Sequence, residues 1–304
     1  MMRRQLKTMA RAVAPAPVRN AWGHLYGSLK VHRARKAFER CADGTPQSFL
    51  PNEAIEVLMR QGYRPPDPVR YDPEGLLDRA NEKVAQLSQV IDWSRVSTAL
   101  ELGCWDGMVA AALRGRGIEA YGLDITAAAA DERAVRADVS FLRSDAGAIA
   151  LRNQSIDLVY SFASFEHFPR PDRSVAEVHR VLAPGGQVYL SFGPLYFSPY
   201  GLHAYRQIPI PFCHLLFDEK GLRQWAEANR LPHEWPFVNG WSLQRYRALW
   251  RSLPTDLRIT RYREHSTGGV GMELVARHPQ FFRSQVEDFD ELLVAHVEVA
   301  LRKQ

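Results

Sequence analysis

Between residues 74 and 192, short apolar runs alternate with stretches whose apolar positions recur every three or four residues. Thr98–Leu102, Glu119–Leu123, Val139–Leu142, Ile156–Ser161 and Gln187–Phe192 are short and nearly all apolar, as in strands buried on both faces. Ahead of them, Leu76, Leu77, Ala80, Val84, Leu87 and Val90 place one apolar stripe on a helix over Glu74–Val90. Further helices are expected at Met108–Arg114, Ala127–Ala134 and Pro171–Leu182, the last stopped by the turn Ala183-Pro-Gly-Gly186. Such alternation predicts a parallel sheet covered on both sides.

Outside this region the rhythm changes. Residues 1–60 read as helical with breaks at Pro15 and Pro17, and the proline-dense segment 63–73 reads as an extended linker. After residue 192, Gly193–Phe217 is rich in proline and aromatics, and helices follow at Asp218–Arg230 and Ser242–Ser252. Leu257–His265 and Met272–Arg277 read as two strands joined by the glycine-bearing loop 266–271. Phe282, Val286, Phe289, Leu293 and Val297 mark a final amphipathic helix. The expected division is an extension and linker over 1–73 and a main domain over 74–304. The latter carries an insert at about 193–256 and a terminal strand pair plus helix at about 257–304.

Charge separates the two parts. Residues 1–40 hold ten basic side chains against Glu39 alone, a charge of +9, so with +5 for the whole chain the remainder carries −4. A basic arm with Trp22, Leu25 and Tyr26 among its charges suits either a solvated extension or peripheral contact with an anionic membrane. The net acidic remainder argues against a nucleic-acid surface. Cys41, Cys104 and Cys213 have no C-x-x-C spacing, which fits a reducing, cytoplasmic setting, with the inner face of the membrane as the alternative that the arm allows. No apolar run approaches a membrane span, and the first residues lack the apolar stretch of a secretory signal, so export is not expected.

The chemistry concentrates in Thr98-Ala-Leu-Glu-Leu-Gly-Cys-Trp-Asp-Gly107, a strand entering a glycine-bearing turn that opens a helix. A dinucleotide fingerprint requires G-x-G-x-x-G. Here Trp105 and Met108 stand where its second and third glycines would fall. With the motifs that follow in order, the segment resembles the class I S-adenosylmethionine (AdoMet)-dependent methyltransferases of the small-molecule branch. The resemblance implies that Glu101, Gly103, Cys104, Trp105 and Gly107 surround the methionine part of AdoMet. It implies further that Asp124, followed by Ile125, receives the ribose hydroxyls, and that Asp145, followed by Ala146, receives the adenine amino group. The end of the fourth-strand motif, at Ser161 and Phe162, would line the transfer site. Trp105 is either a wall of the pocket or a ring packed outside the turn, and Cys104 reads as a buried filler rather than a nucleophile. The implied fold is an α/β, Rossmann-like, mostly parallel seven-stranded sheet with helices on both faces and an antiparallel last strand, preceded by a helical N-terminal extension.

The implied activity is AdoMet-dependent methyl transfer to a small-molecule or glycan acceptor, at oxygen. Alternatives are a lipid or quinone acceptor at a membrane surface, or a non-catalytic AdoMet-binding module. A hydroxyl acceptor must lose its proton as the C–O bond forms. Glu166 and His167, just past the fourth strand, are the candidates for that end of the site, with His203 and His214 in reserve. Tyr196, Tyr200, His203, Tyr205 and His214 of the 193–217 segment are candidate substrate contacts on a lid, although an aromatic-packed closing loop explains the same residues. No metal site is expected, because Glu166 and His167 have no further acid or histidine at helical spacing.

Overall fold

The computed structural model describes residues 16–41, 49–126 and 129–304, with side chains of the first helix described from residue 27. Seven strands form one sheet: β1 (Thr98–Leu102), β2 (Glu119–Asp124), β3 (Ser140–Arg143), β4 (Ile156–Phe162), β5 (Leu182–Phe192), β6 (Leu257–Ser266) and β7 (Val294–Lys303). Their order is β3-β2-β1-β4-β5-β7-β6. Strands β1 to β5 pair in parallel, whereas β7 runs antiparallel to both β5 and β6. The expected Rossmann-like sheet with an antiparallel last strand is therefore present.

Side-chain alternation divides the core into two layers. Ala99, Ala120, Leu158, Tyr160 and Tyr189 face one side, where they meet the helices Pro73–Leu87 and Met108–Arg114. Leu100, Leu102, Leu123, Val159, Val188 and Leu190 face the other, against the helices Pro171–Val181 and Leu243–Arg251. The stripe read at residues 76–87 is thus a real packing face, and Asp72 caps its helix by accepting from the Gly75 N–H at 3.0 Å.

Several expected elements change. Met272–Arg277 is a helix rather than a strand, entered through Gly271 in the left-handed region at φ 70°. The partner of β6 is instead β7, at the place read as the final amphipathic helix. Residues 282–297 mix two elements: Phe282, Val286 and Phe289 are buried from turns and short helices, while Val294 and Val297 belong to the strand. Helical spacing counted across that junction joined positions that do not share a face, and the β-branched run paired with β5 decides the outcome. Ala183–Gly186 lies within β5, as an excursion between the paired positions Leu182 and Gln187 with Gly185 at φ 77°. The helix expected at Ala127–Ala134 is found at Glu132–Arg136, capped by Asp131, and residues 127–128 lie outside the described residues.

A third cluster joins the N-terminal helices to the later part of the chain. Ala34 and Phe38 of helix Ala16–Arg40, with Ile55 and Leu58 of helix Glu53–Met59, are buried with residues from 202–222 and 272–292. Lys30 pairs with Glu273 and Arg35 with Asp290, each at 3.0 Å. Over residues 27–40 the basic segment is consequently a docked helix and not a solvated arm. Residues 1–15, and the side chains of Trp22, Leu25 and Tyr26, lie outside what is described. Among the described residues no helix is long and apolar enough to cross a membrane.

Candidate active site

The turn after β1 is shaped by close approach. Gly103 has φ 72°, and a Cβ there would stand 2.4 Å from both Cβ and Oγ of Ser164. Its N–H and that of Cys104 both donate to the Leu123 carbonyl, at 2.8 and 3.1 Å, which ties the turn to the end of β2. Gly107, at φ 73°, opens the next helix where a Cβ would meet the Phe141 ring at 2.5 Å. Only glycine fits such positions without displacement. Cys104 is buried against Gly122, and burial raises its thiol pKa far above the usual value, so it is a filler here. Trp105 sits at φ 48° and is 56% exposed, so its ring does not fill the turn.

The three acids occupy different settings. Asp124 accepts the Trp105 N–H at 3.1 Å on one carboxylate oxygen and the Thr126 N–H at 3.0 Å on the other. Ile125 beside it is 66% exposed. Asp145 follows β3 on the exposed side and accepts the Gly147 N–H at 2.6 Å, while Ala146 belongs to the core. Asp124 and Asp145 are neighbours at adjacent strand tips, since Asp124 pairs with Arg143 and its carbonyl accepts the Ser144 N–H at 3.0 Å. Glu101 instead points below the turn and is 2% exposed. Desolvation pushes its carboxyl up to about 7, partly offset by Lys83.

Lys83 and two further residues carry no motif of their own. Lys83 and Arg79 lie one helical turn apart on Pro73–Leu87, and Arg79 binds the buried Asp106 carboxylate. Asp106 also accepts the Met108 N–H at 2.9 Å. The Lys83 ammonium sits 5.0 Å over the Phe162 ring, and burial lowers its pKa. The i, i+4 spacing of two cations beside an apolar stripe was the available signal for them. Ser161 and Phe162 have their side chains committed to the sheet: the serine hydroxyl donates to the Leu102 carbonyl at 2.9 Å, and the ring packs on Tyr160 and Tyr189.

Past β4 the chain folds back on the glycine turn, the Ser164 hydroxyl donating to the Gly103 carbonyl at 3.2 Å. A single 3-10 turn then presents Glu166 and His167. Glu166 is 1% exposed, and neither carboxyl oxygen has a hydrogen-bond partner among the described residues. Burial pushes it up to about 8, with the nearby backbone N–H groups of Glu166 and Gly193 softening the effect. His167 donates from Nδ1 to the Phe237 carbonyl, and its Nε2 lies 3.9 Å from Glu166 Oε1. His203 arrives from the segment after β5, held at φ 60° with Nε2 on the Pro194 carbonyl at 3.0 Å. The two imidazole rings stand 4.8 Å apart at 75°. Burial lowers both histidines, His203 to about 4, so both are neutral near pH 7. Asn239, also without a sequence signal, clamps this turn: its N–H donates to the Glu166 carbonyl at 2.9 Å and its amide to Phe168 at 3.1 Å.

The remaining candidates of the 193–217 segment have other partners. His214 is buried, with Nε2 on the Tyr196 carbonyl and its ring 4.8 Å from the Tyr196 ring. The Tyr200 hydroxyl donates to the Arg64 carbonyl at 3.0 Å, and its ring packs on Tyr205 at 5.7 Å. With Leu202, Ile208, Ile210 and Phe212 buried in the third cluster, the segment is an aromatic-packed covering from which His203 projects toward His167.

A glycine turn at the tip of β1 thus lies beside carboxylates ending β2 and following β3, at the carboxyl edge of an open α/β sheet, where ligands of such sheets bind. Residues 100–190 match the family model described as “Methyltransferase domain”. An uncharacterized methyltransferase of Mycobacterium ulcerans (strain Agy99) is 29% identical over 157 residues, covering 50% of this chain and 61% of that protein. Methyltransferase GfsG of Streptomyces halstedii is 28% identical over 152 residues, 46% of this chain and 54% of that one. The ubiquinone biosynthesis O-methyltransferase of Pseudomonas paraeruginosa is 31% identical over 101 residues, 31% of this chain and 43% of that one. The chain thus spans about half the length of the relatives it matches. Residues 100–190 are thus similar to a methyltransferase domain, and AdoMet is the cofactor that such a domain implies.

Proposed function

We propose that this chain transfers a methyl group from AdoMet to an oxygen of a small-molecule or glycan acceptor. One observation carries the reading. The turn 103–107 leaves no room for side chains at its glycines, has the Asp124 carboxylate tied to its backbone, and packs through Ser164 against the Glu166–His167–His203 cluster. This arrangement supports a reading in which the cofactor and acceptor ends lie side by side.

The residues fit the cofactor chemically. A carboxylate at Asp124 can take both ribose hydroxyls through the lone pairs its backbone donors leave free, once the Thr126 hydroxyl at 3.3 Å turns away. Asp145 offers an acceptor for the adenine amino group. Lys83 and Arg79 put positive charge beneath the turn for a methionine carboxylate, while Glu101 and Asp106 keep that cluster near balance. When bound, AdoMet supplies an electrophilic sulfonium methyl. In the transfer the methyl group would pass from sulfur to the acceptor oxygen, the C–S electron pair staying on sulfur and the hydroxyl proton passing to solvent. Orientation of the two partners supplies most of the advantage, and the buried cluster at Glu166 marks the end where the proton must be released.

Oxygen as the receiving atom is supported by the histidine cluster and by the relative named as an O-methyltransferase. A lipid-soluble quinone-type acceptor is the second reading, favoured by that relative and by the charge of +9 over residues 1–40. The test is transfer of labelled methyl from AdoMet to a panel of hydroxylated small molecules, glycans and quinols. Label in an oxygen-linked methyl group supports the proposal; label only on nitrogen or carbon acceptors contradicts it.

A further inference from the structure

We propose that Glu166, His167 and His203 form a binding site for a divalent transition-metal ion that coordinates the acceptor's oxygen. Three side chains, two adjacent on one 3-10 turn and one distant in the chain, converge here, with one ligand-type atom of each within 4.8 Å of the others. Ligands bound to a small ion at about 2.0–2.2 Å stand roughly 3 Å apart, so side-chain rotations of about an ångström close the set.

Three features separate this cluster from an incidental grouping. Glu166 is almost completely buried, with both oxygens lacking a hydrogen-bond partner among the described residues, and one of them faces His167 Nε2 at 3.9 Å. Such a group costs free energy once it ionises, and a cation held beside it would offset that cost. His167 and His203 are each fixed by one ring nitrogen on a backbone carbonyl, of Phe237 and Pro194 respectively. This outer hydrogen bond sets the tautomer and leaves a lone pair on the other nitrogen, the arrangement ligating histidines use. His203 also holds a left-handed backbone at φ 60°, at the expense of local strain, to place its ring against His167.

Two imidazoles and one carboxylate suit zinc, iron, manganese or cobalt better than magnesium, which prefers an all-oxygen octahedron. Three protein ligands leave open positions, as in catalytic rather than structural sites. An acceptor hydroxyl filling one of them would have its pKa lowered and would release its proton to solvent on coordination. His167 would then act as a ligand and not as the proton's destination. The ion's place in methyl transfer rests on the proposed function above; its binding does not.

The test uses full-length protein with any affinity tag removed, stripped with chelator and titrated with Co2+ while the visible d–d absorption is followed. The expected result is one equivalent bound with a d–d band, competed away by Zn2+. In His203→Gln and Glu166→Gln the band should be lost and cobalt affinity should fall at least about tenfold to hundredfold. Circular dichroism identifies any variant that has not folded, and the other variant then carries the comparison. AdoMet calorimetry on the same samples separates the two claims. AdoMet binding without a cobalt band, or cobalt affinity equal in wild type and both variants, overturns the metal site while leaving the methyltransferase reading standing. A cobalt band without AdoMet binding supports the metal site and removes the methyltransferase reading.

Discussion

Replacing Glu166 by glutamine isolates the energetic consequence of a buried, unpartnered carboxyl. Its folded-state pKa is pushed from 4.5 up to about 8 by burial. A carboxyl with a raised folded pKa holds its proton more tightly in the folded state. Its contribution to stability is therefore complete below pH 4.5 and is lost as pH rises toward 8. Each pKa unit is worth about 1.4 kcal/mol, and the change integrated from pH 5 to pH 8 is about 3 kcal/mol. Glutamine keeps the shape and cannot ionise. The two chelator-treated proteins should hence lie close in stability at pH 5, with the variant ahead by about 3 kcal/mol at pH 8. Urea unfolding midpoints at pH 5, 6.5 and 8 measure the difference, and the other titrating groups cancel between the pair. A gap that stays constant across this range would refute the reasoning, because it would mean that the Glu166 carboxylate ionises in the fold without penalty.

Three further outcomes follow from particular contacts. Gly103→Ala places a Cβ 2.4 Å from Ser164 at φ 72°; it should cost about 1–3 kcal/mol in thermal unfolding and weaken AdoMet binding. Phe38→Ala empties a fully packed position where the ring lies 5.6 Å from Phe289; a loss of about 3–5 kcal/mol is expected, and an unchanged melting temperature would show that the basic helix is not docked in solution. His167→Ala should lower turnover about 100-fold or more while AdoMet affinity measured by calorimetry stays unchanged, whereas equal turnover would move the acceptor end elsewhere.

The parallel half of the sheet was legible because strands buried on both faces leave a plain mark: short apolar runs separated by helices with a clear stripe, as at Leu76–Leu87. The turn was legible because the glycines at 103 and 107 and the acids at 124 and 145 occur at strand ends. Beyond β5 the signal was ambiguous. Helical spacing over 282–297 straddled a junction, and Met272, Leu274 and Val275 are buried by a helix whose short apolar run also suits a strand. The site was half legible for a related reason. Glu166 and His167 are adjacent in sequence, but His203 joins them only through the path of the covering segment, and the absence of a partner for Glu166 is a property of burial. Lys83 and Arg79 offered only their i, i+4 spacing in the sequence, and their role emerges from their helix lying under the turn, where their charges meet Glu101 and Asp106.

The central claim is that the tips of β1 and β2 bind AdoMet, with Asp124 as the main polar contact. Isothermal titration of AdoMet into wild type and Asp124→Ala, with circular dichroism to establish that both are folded, tests it most directly. The account predicts one-to-one binding by wild type and an affinity roughly ten- to hundredfold weaker in the variant, the worth of a charge-assisted contact. Absence of binding by wild type, or equal affinity in the two proteins, would contradict it.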